Sequence, residues 1–60
     1  MITYIVDGLS VTHLLLRQAA EAASKEDYAS AEELAVSGIW ELKSSLVLLK
    51  TLKRRFYYDD

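Results

Sequence analysis

Three side chains near the start of the chain, Asp7, Ser10 and His13, are of the types that act together in hydrolytic enzymes. A Ser-His-Asp triad is defined by its geometry and by an oxyanion site, and closeness in sequence indicates neither. His13 is the only histidine and cysteine is absent, so no second ligand of these types stands at metal-binding spacing. The sequence therefore predicts no catalytic residue, metal, cofactor or small-molecule substrate.

Four acids, Glu26, Asp27, Glu32 and Glu33, could form a carboxylate metal site between helices. Such sites also need Glu-x-x-His pairs on facing helices, and the sequence contains no such pair. Acids in the first turns of a helix are explained by the positive end of its dipole. We interpret these side chains as a solvated helix start.

The basic end of the chain consists of Lys50, Lys53, Arg54 and Arg55, next to the aromatic Phe56. Cations beside aromatic rings can contact phosphates and stack on bases, which would suit a nucleic-acid-binding regulator. The alternative is that these cations complement the negative end of a helix dipole. The net charge of the whole chain is −2, which does not favour a general attraction to nucleic acid.

The helices and turns that position these residues can be predicted from proline and glycine, the residues that interrupt regular structure. There is no proline, and the two glycines are Gly8 and Gly38, so long helices are favoured. Residues 2–6 are β-branched or aromatic and predict a short strand, which a turn at Asp7-Gly8 would end. We therefore predict strand and turn at 1–9, helix 1 at 10–24, helix 2 at 25–56 and a tail at 57–60. Ser24-x-x-Asp27 matches a capping box, which places the corner of an antiparallel hairpin there.

Helix 2 is predicted to be much longer than helix 1, so its distal leucines would lack a cover within the chain. Apolar residues recur every seven positions along it, and small residues, Ala31, Gly38 and Ser45, repeat three places later. The predicted oligomer interface is Tyr28, Ala35, Leu42, Leu46, Leu49, Leu52 and Phe56. The predicted fold is thus all-α, a helical hairpin with a short N-terminal strand that dimerises into a helical bundle.

A second apolar side of helix 2 lies roughly opposite these leucines. It consists of Val36, Trp40 and Val47, with Lys43 beside them. Interfaces concentrate binding energy in tryptophan, tyrosine and arginine, so these four residues are the predicted partner-binding site. The alternative is that Trp40 packs inside the oligomer.

Sixty residues bury too little surface to be stable without help, and neither disulfides nor a metal is expected here. A homodimer would supply the missing core. No apolar run approaches the roughly 20 residues that span a bilayer, and the first residues do not match a signal peptide. We expect a cytoplasmic protein without a membrane partner.

The order strand, helix, helix resembles the ribbon-helix-helix repressors, although the strand here carries Ile2, Tyr4 and Val6 and no basic residue. A hairpin that dimerises is similar to plasmid RNA-binding regulators of copy number. The short length, the aromatic patch and the lack of chemistry resemble small phage-encoded helical dimers that inhibit host regulators, including an anti-quorum-sensing type. That resemblance implies a phage or mobile-element protein that docks on and inhibits a partner protein.

The expected function is therefore a small protein-binding module that acts as a homodimer on a protein partner. A nucleic-acid-binding regulator is the first alternative, and a structural assembly subunit is the second. The assembly hypothesis rests on the two apolar sides of helix 2, which could support open arrays.

Overall fold

The computed structural model describes residues 2–57 and contains two antiparallel α-helices. Helix α1 spans Ile2–Ser24 and helix α2 spans Tyr28–Tyr57, with a three-residue corner between them. The Cα atoms fill an envelope of 52 × 15 × 12 Å, which is one layer of two helices. The predicted all-α hairpin is confirmed. Of the predicted tail, Tyr57 is the last residue of α2, and residues 58–60 lie outside the described residues.

The predicted strand at the N-terminus is wrong, because Ile2 to Gly8 form the first two turns of α1. Met1 lies outside the described residues. The helix is favoured because Ile5 and Thr12 continue the three-and-four spacing of Leu15 and Ala19, which places all four on the side that packs on α2. Burial of this side outweighs the β propensity of a short apolar run.

The longer α1 also removes one argument for a dimer. Helix 1 was predicted to begin at residue 10 and to leave the distal half of α2 uncovered. In the structure α1 has 23 residues and α2 has 30, so α1 runs along most of its partner. Any need for a second chain must therefore come from the sides of the hairpin.

The corner between the helices is a Schellman motif followed by an aspartate cap. The amide of Asp27 donates to the carbonyl of Ala22 at 2.9 Å, and that of Glu26 donates to Ala23 at 3.0 Å. Glu26 is left-handed, with φ of 63°. The Asp27 carboxylate then accepts from the Ser30 amide at 3.3 Å, so Asp27 is the N-cap of α2. The predicted cap, Ser24, is wrong, because its hydroxyl donates back to the Glu21 carbonyl at 2.7 Å.

We predict that Glu26→Gly stabilises the protein by about 0.5–1 kcal/mol. Glycine adopts the left-handed conformation without the steric cost that a side chain pays, although it also makes the unfolded chain more flexible. Urea unfolding at one fixed protein concentration measures the change. Lys25→Gly is the matched control, because a positive φ is recorded for Glu26 and not for Lys25. The control should lose stability, and a loss in both variants would contradict the prediction.

The two helices meet along a seam of small residues, where the glycines allow close approach. A β-carbon on Gly8 would stand 2.5 Å from the Ser45 hydroxyl oxygen, and one on Gly38 would stand 3.0 Å from the Leu16 side chain. Gly8 is therefore not a turn residue, and α2 continues through Gly38. The half-buried or buried seam positions are Ile5, Gly8, Thr12, Leu15, Ala19 and Ala22 on α1, and Ala31, Leu34, Gly38, Ser45, Leu48 and Leu52 on α2.

This seam makes a thin core. Among the described residues, the buried side chains are those of Ile5, Thr12, Ala19 and Ser45, and only Ile5 is a large apolar one. The Thr12 hydroxyl donates to the Gly8 carbonyl one turn earlier, at 2.9 Å, which satisfies it inside the seam. Most of the large apolar side chains are exposed, and they form the surfaces described below.

Candidate functional site

The first candidate surface is the Trp40 patch, defined as Val36, Trp40, Lys43 and Val47. These residues are four, three and four positions apart, so they follow one side of α2. All four are exposed, and Trp40 has 65% of its surface accessible. Trp40 lies two residues beyond Gly38, which is about 160° around the helix, so it points away from α1. The structure thus brings all four predicted partner-binding residues onto one open surface.

Lys43 and Trp40 also contact each other. The Lys43 ammonium lies 5.1 Å from the centroid of the Trp40 ring, within range of a cation–π interaction. At an exposed site such a contact stabilises by about 0.5–1 kcal/mol. The contact places a positive charge over the face of the exposed indole ring.

The second candidate surface is an apolar face that covers one side of the hairpin and includes both helices. On each helix its residues follow the seam positions by one place, and in antiparallel helices such flanks lie on the same side. On α1 they are Ile2, Leu9 and Leu16, and on α2 they are Tyr28, Ala35, Leu42, Leu49 and Phe56, widened by Ile39 and Leu46. All are exposed except Ala35, which is half-buried.

The opposite flank of the hairpin differs sharply. The equivalent positions of α2 are Ser30, Ser37, Ser44 and Thr51, all hydroxyl residues. The Thr51 hydroxyl donates to the Val47 carbonyl of its own helix at 3.0 Å. On α2, therefore, one flank is strongly apolar and the other is polar, whereas the corresponding second flank of α1 carries the exposed Tyr4 and Val11.

The predicted oligomer interface divides between two places in the structure. Six of its residues lie on the apolar face, namely Tyr28, Ala35, Leu42, Leu46, Leu49 and Phe56. Leu52 instead belongs to the seam, where it is half-buried in register with Ser45 and Gly38. It also lines a groove of about 440 Å³ with Ile2, Thr3, Arg55 and Phe56. Leu52 lies in the seam because it follows the seam residue Ser45 by seven positions, which is about two helical turns.

Sequence reasoning missed the α1 half of the apolar face. Ile2 and Leu9 were assigned to a strand and a turn, so neither was placed on a helix. The signal that could have found them is the spacing of Ile2, Leu9 and Leu16, which are seven residues apart. A helix that begins before Gly8 aligns all three on one side.

The basic residues at the end of α2 do not share one side of the helix. Lys50, Lys53, Arg54 and Arg55 are exposed, and at 100° per residue they spread over more than half of its circumference. Arg55 lines the groove beside Ile2 and Phe56, whereas Arg54 lies on the opposite side of α2 from the apolar face. Arg54 and Arg55 stand in the last turn, where they complement the helix dipole.

The residues suggestive of chemistry lie along the exposed surface of α1. Asp7, Ser10 and His13 are all exposed, and successive members are three residues apart on one helix. Asp7 and His13 are therefore separated by a rise of about 9 Å, which no direct side-chain relay of a triad spans. In residues 2–57, no three His, Asp or Glu side chains come together in a group that could hold a metal ion. Neither α1 nor the described part of α2 is long and apolar enough to cross a membrane.

Comparisons with known proteins add no relative to this description. No protein-family model, curated protein or solved structure matches the chain. Inferences about function therefore come from the surfaces themselves.

Proposed function

We propose that the protein is a small protein-binding module, a cytoplasmic homodimer that docks on a partner protein and modulates or inhibits it. The observation that carries this proposal is the Trp40 patch. An exposed tryptophan with a lysine over its ring, flanked by two exposed valines, has the composition of a binding hot spot. Its resemblance in size and format to phage-encoded helical inhibitors supports inhibition as the mode of action.

The geometry of the patch suits docking onto another protein better than catalysis. Its four residues are exposed and follow one convex side of a helix, whereas small-molecule sites are concave. A helix with anchors at these spacings can lie in a groove of a partner, with the indole ring as the central anchor. The partner should offer an apolar groove with acidic groups beside the position of Lys43.

We predict that Trp40→Ala weakens partner binding at least 30-fold, because removal of a central aromatic anchor commonly costs about 2 kcal/mol or more. The partner is isolated from extracts on immobilised protein, identified by mass spectrometry, and titrated against purified variants. Since Trp40 is the only tryptophan, its fluorescence should also shift to shorter wavelength when the ring becomes buried at the interface.

Tyr4→Ala is the matched control for this experiment. Tyr4 is an aromatic residue with 66% of its surface accessible, against 65% for Trp40, and it lies on α1 outside the patch. The control should bind the partner as the wild type does. Equal weakening by both variants, or loss of helicity in Trp40→Ala alone, would remove the patch as the binding site.

A nucleic-acid-binding regulator is the second proposal, motivated by Lys50, Lys53, Arg54 and Arg55 at the end of α2. Phosphate contacts release counterions, so binding to duplex DNA or structured RNA should be tightest at low salt and should fall steeply as salt rises. Titration of the protein with duplex DNA or structured RNA, followed by Trp40 fluorescence and by light scattering, tests this proposal. No complex at low salt would exclude it and leave the protein-binding proposal untouched.

A further inference from the structure

We infer that the apolar face is covered by a second copy of this chain, packed face to face with its corner at the opposite end, to form an antiparallel four-helix bundle. This inference deepens the proposed function, because it names the surface and the orientation of the homodimer. It does not depend on the Trp40 patch. Three features of the hairpin support it, namely the positions of the large side chains, the exposed area and the distribution of charge.

Most of the large apolar side chains are exposed in the isolated hairpin and do not lie between its two helices. Seven of the twelve seam positions between α1 and α2 are glycine, alanine, serine or threonine, whereas Leu9, Leu16, Leu42, Leu46 and Leu49 are exposed beside the seam. A hydrophobic core draws its stability from large buried side chains. The leucines become core only when something packs on the apolar face, since the seam brings the helices together and leaves this face open.

The exposed area supports a protein partner of the size of the chain itself. The hairpin has an accessible surface of 4987 Å². A folded monomer of 6.8 kDa is expected to expose roughly 4,000 Å², which leaves an excess of roughly 1,000 Å². A stable interface buries about 800 Å² on each partner, so the excess matches what one copy loses in a dimer.

The charges indicate which way round the second copy lies. The corner end of the hairpin carries five acids and one base, namely Glu21, Glu26, Asp27, Glu32 and Glu33 with Lys25. The open end carries Lys50, Lys53, Arg54 and Arg55, and among the described residues Asp7 is the acid there. A parallel dimer would place like charges together at both ends, whereas an antiparallel dimer places each basic end beside an acidic corner.

Trp40 and Val47 stay open in this arrangement, whereas Val36 and Lys43 border Ile39 and Leu46 at the edge of the apolar face. Trp40 lies about 160° around α2 from Leu42, which is central in the apolar face. The two-fold symmetry of the dimer therefore presents two patches on its outer sides. A dimer with two separate patches can engage two partner molecules, or one partner that is itself two-fold symmetric.

The first test is the absolute mass by size-exclusion chromatography with light scattering, over a wide concentration range. The wild type is expected to be a dimer, with a thermal midpoint that rises with protein concentration. Leu42→Glu should lower dimer affinity by at least 100-fold, because a buried carboxylate without a partner is strongly unfavourable. Val47→Glu is the matched control, an apolar-to-acid change at another exposed residue on the other side of α2, and it should leave the dimer intact.

The second test measures orientation. The chain has no cysteine, so Ala29→Cys places a single spin label near the corner of each copy. Electron–electron distance measurement should give about 40 Å across an antiparallel dimer, against about 20 Å or less across a parallel one. Added salt should weaken the antiparallel dimer by about tenfold through screening, and it would strengthen a parallel one.

Several results would overturn the inference. They are a folded monomer at all concentrations, a short label distance, and a dimer that Val47→Glu breaks and Leu42→Glu does not. A monomer that gains helicity on vesicles of mixed zwitterionic and anionic lipid would assign the apolar face to a membrane surface. A monomer or a short label distance leaves the expected effect of Trp40→Ala on partner binding unchanged, so there the two proposals fail separately. A dimer broken by Val47→Glu alone would place the Trp40 patch in the dimer interface and count against both.

Discussion

Replacing Ile5 by alanine is expected to lower the free energy of unfolding by about 3 kcal/mol. Ile5 is 3% exposed and is the one large apolar side chain fully enclosed by the described residues. Truncating such a side chain removes its transfer free energy and leaves a cavity, which costs 2–5 kcal/mol for isoleucine to alanine. Urea unfolding monitored by circular dichroism measures the loss, at one protein concentration for all variants.

Val6→Ala is the control for Ile5→Ala. Val6 is the next residue, with 54% of its surface exposed, and its truncation should cost well under 1 kcal/mol. If residues 2–6 formed a strand, Ile2, Tyr4 and Val6 would share one side and Ile5 the other. A larger loss from Val6→Ala than from Ile5→Ala would therefore show that these residues are not helical in solution.

The second large effect is expected at Gly8. Gly8→Ala should lower the free energy of unfolding by up to about 2 kcal/mol, although alanine favours helix by about 1 kcal/mol over glycine. The reason is steric, since the new β-carbon would lie 2.5 Å from the hydroxyl oxygen of Ser45, which is 2% exposed. Overpacking of this kind costs about 1–3 kcal/mol.

A double-mutant cycle isolates this contact. In a Ser45→Ala background the hydroxyl is gone and the nearest atom of residue 45 is its β-carbon, 3.9 Å away, which is ordinary contact. Gly8→Ala should then stabilise by about 1 kcal/mol, a reversal of sign that gives a coupling of about 1–3 kcal/mol. Additive effects of the two substitutions would mean that Gly8 and Ser45 do not face each other.

Much of the fold follows from the sequence. The lack of proline, the cap-like residues near the corner and the seven-residue spacing along α2 all predict a helical hairpin. The repeat of Ala31, Gly38 and Ser45 predicted close helix approach, and in the structure these three residues line the seam.

Two local features were beyond prediction, and both depend on tertiary contacts. A short run such as Ile2-Thr3-Tyr4-Ile5-Val6 fits strand and helix equally well until the packing of Ile5 on α2 decides between them. The left-handed Glu26 gives no sequence signal, because glycine or asparagine normally marks that position. Consequently the N-cap of α2 is Asp27, three residues after the predicted cap Ser24.

A candidate surface could be predicted from the sequence where all its residues lie on one helix, and only in part where it combines two helices. Val36, Trp40, Lys43 and Val47 all lie on one helix, so their common side follows from spacing alone. The apolar face combines two helices, and its α1 half could not be found while residues 1–9 were assigned to a strand and a turn. Contacts between helices determine which flank of α1 joins which flank of α2.

The seam also dictates the order in which the hairpin assembles. Gly8 faces Ser45, and Gly38 lies against Leu15 and Leu16, so each step back along α1 is matched by a step forward along α2 and closes a longer loop of chain. The contacts that form with the least loss of chain entropy, near Ala22 and Ala31, join mainly small side chains, with Leu34 half-buried beside them, whereas the buried Ile5 lies at the end furthest from the corner. Pairing of the helices near the corner is therefore easily reversed. The hairpin becomes stable only when the start of α1 and the end of α2 come together.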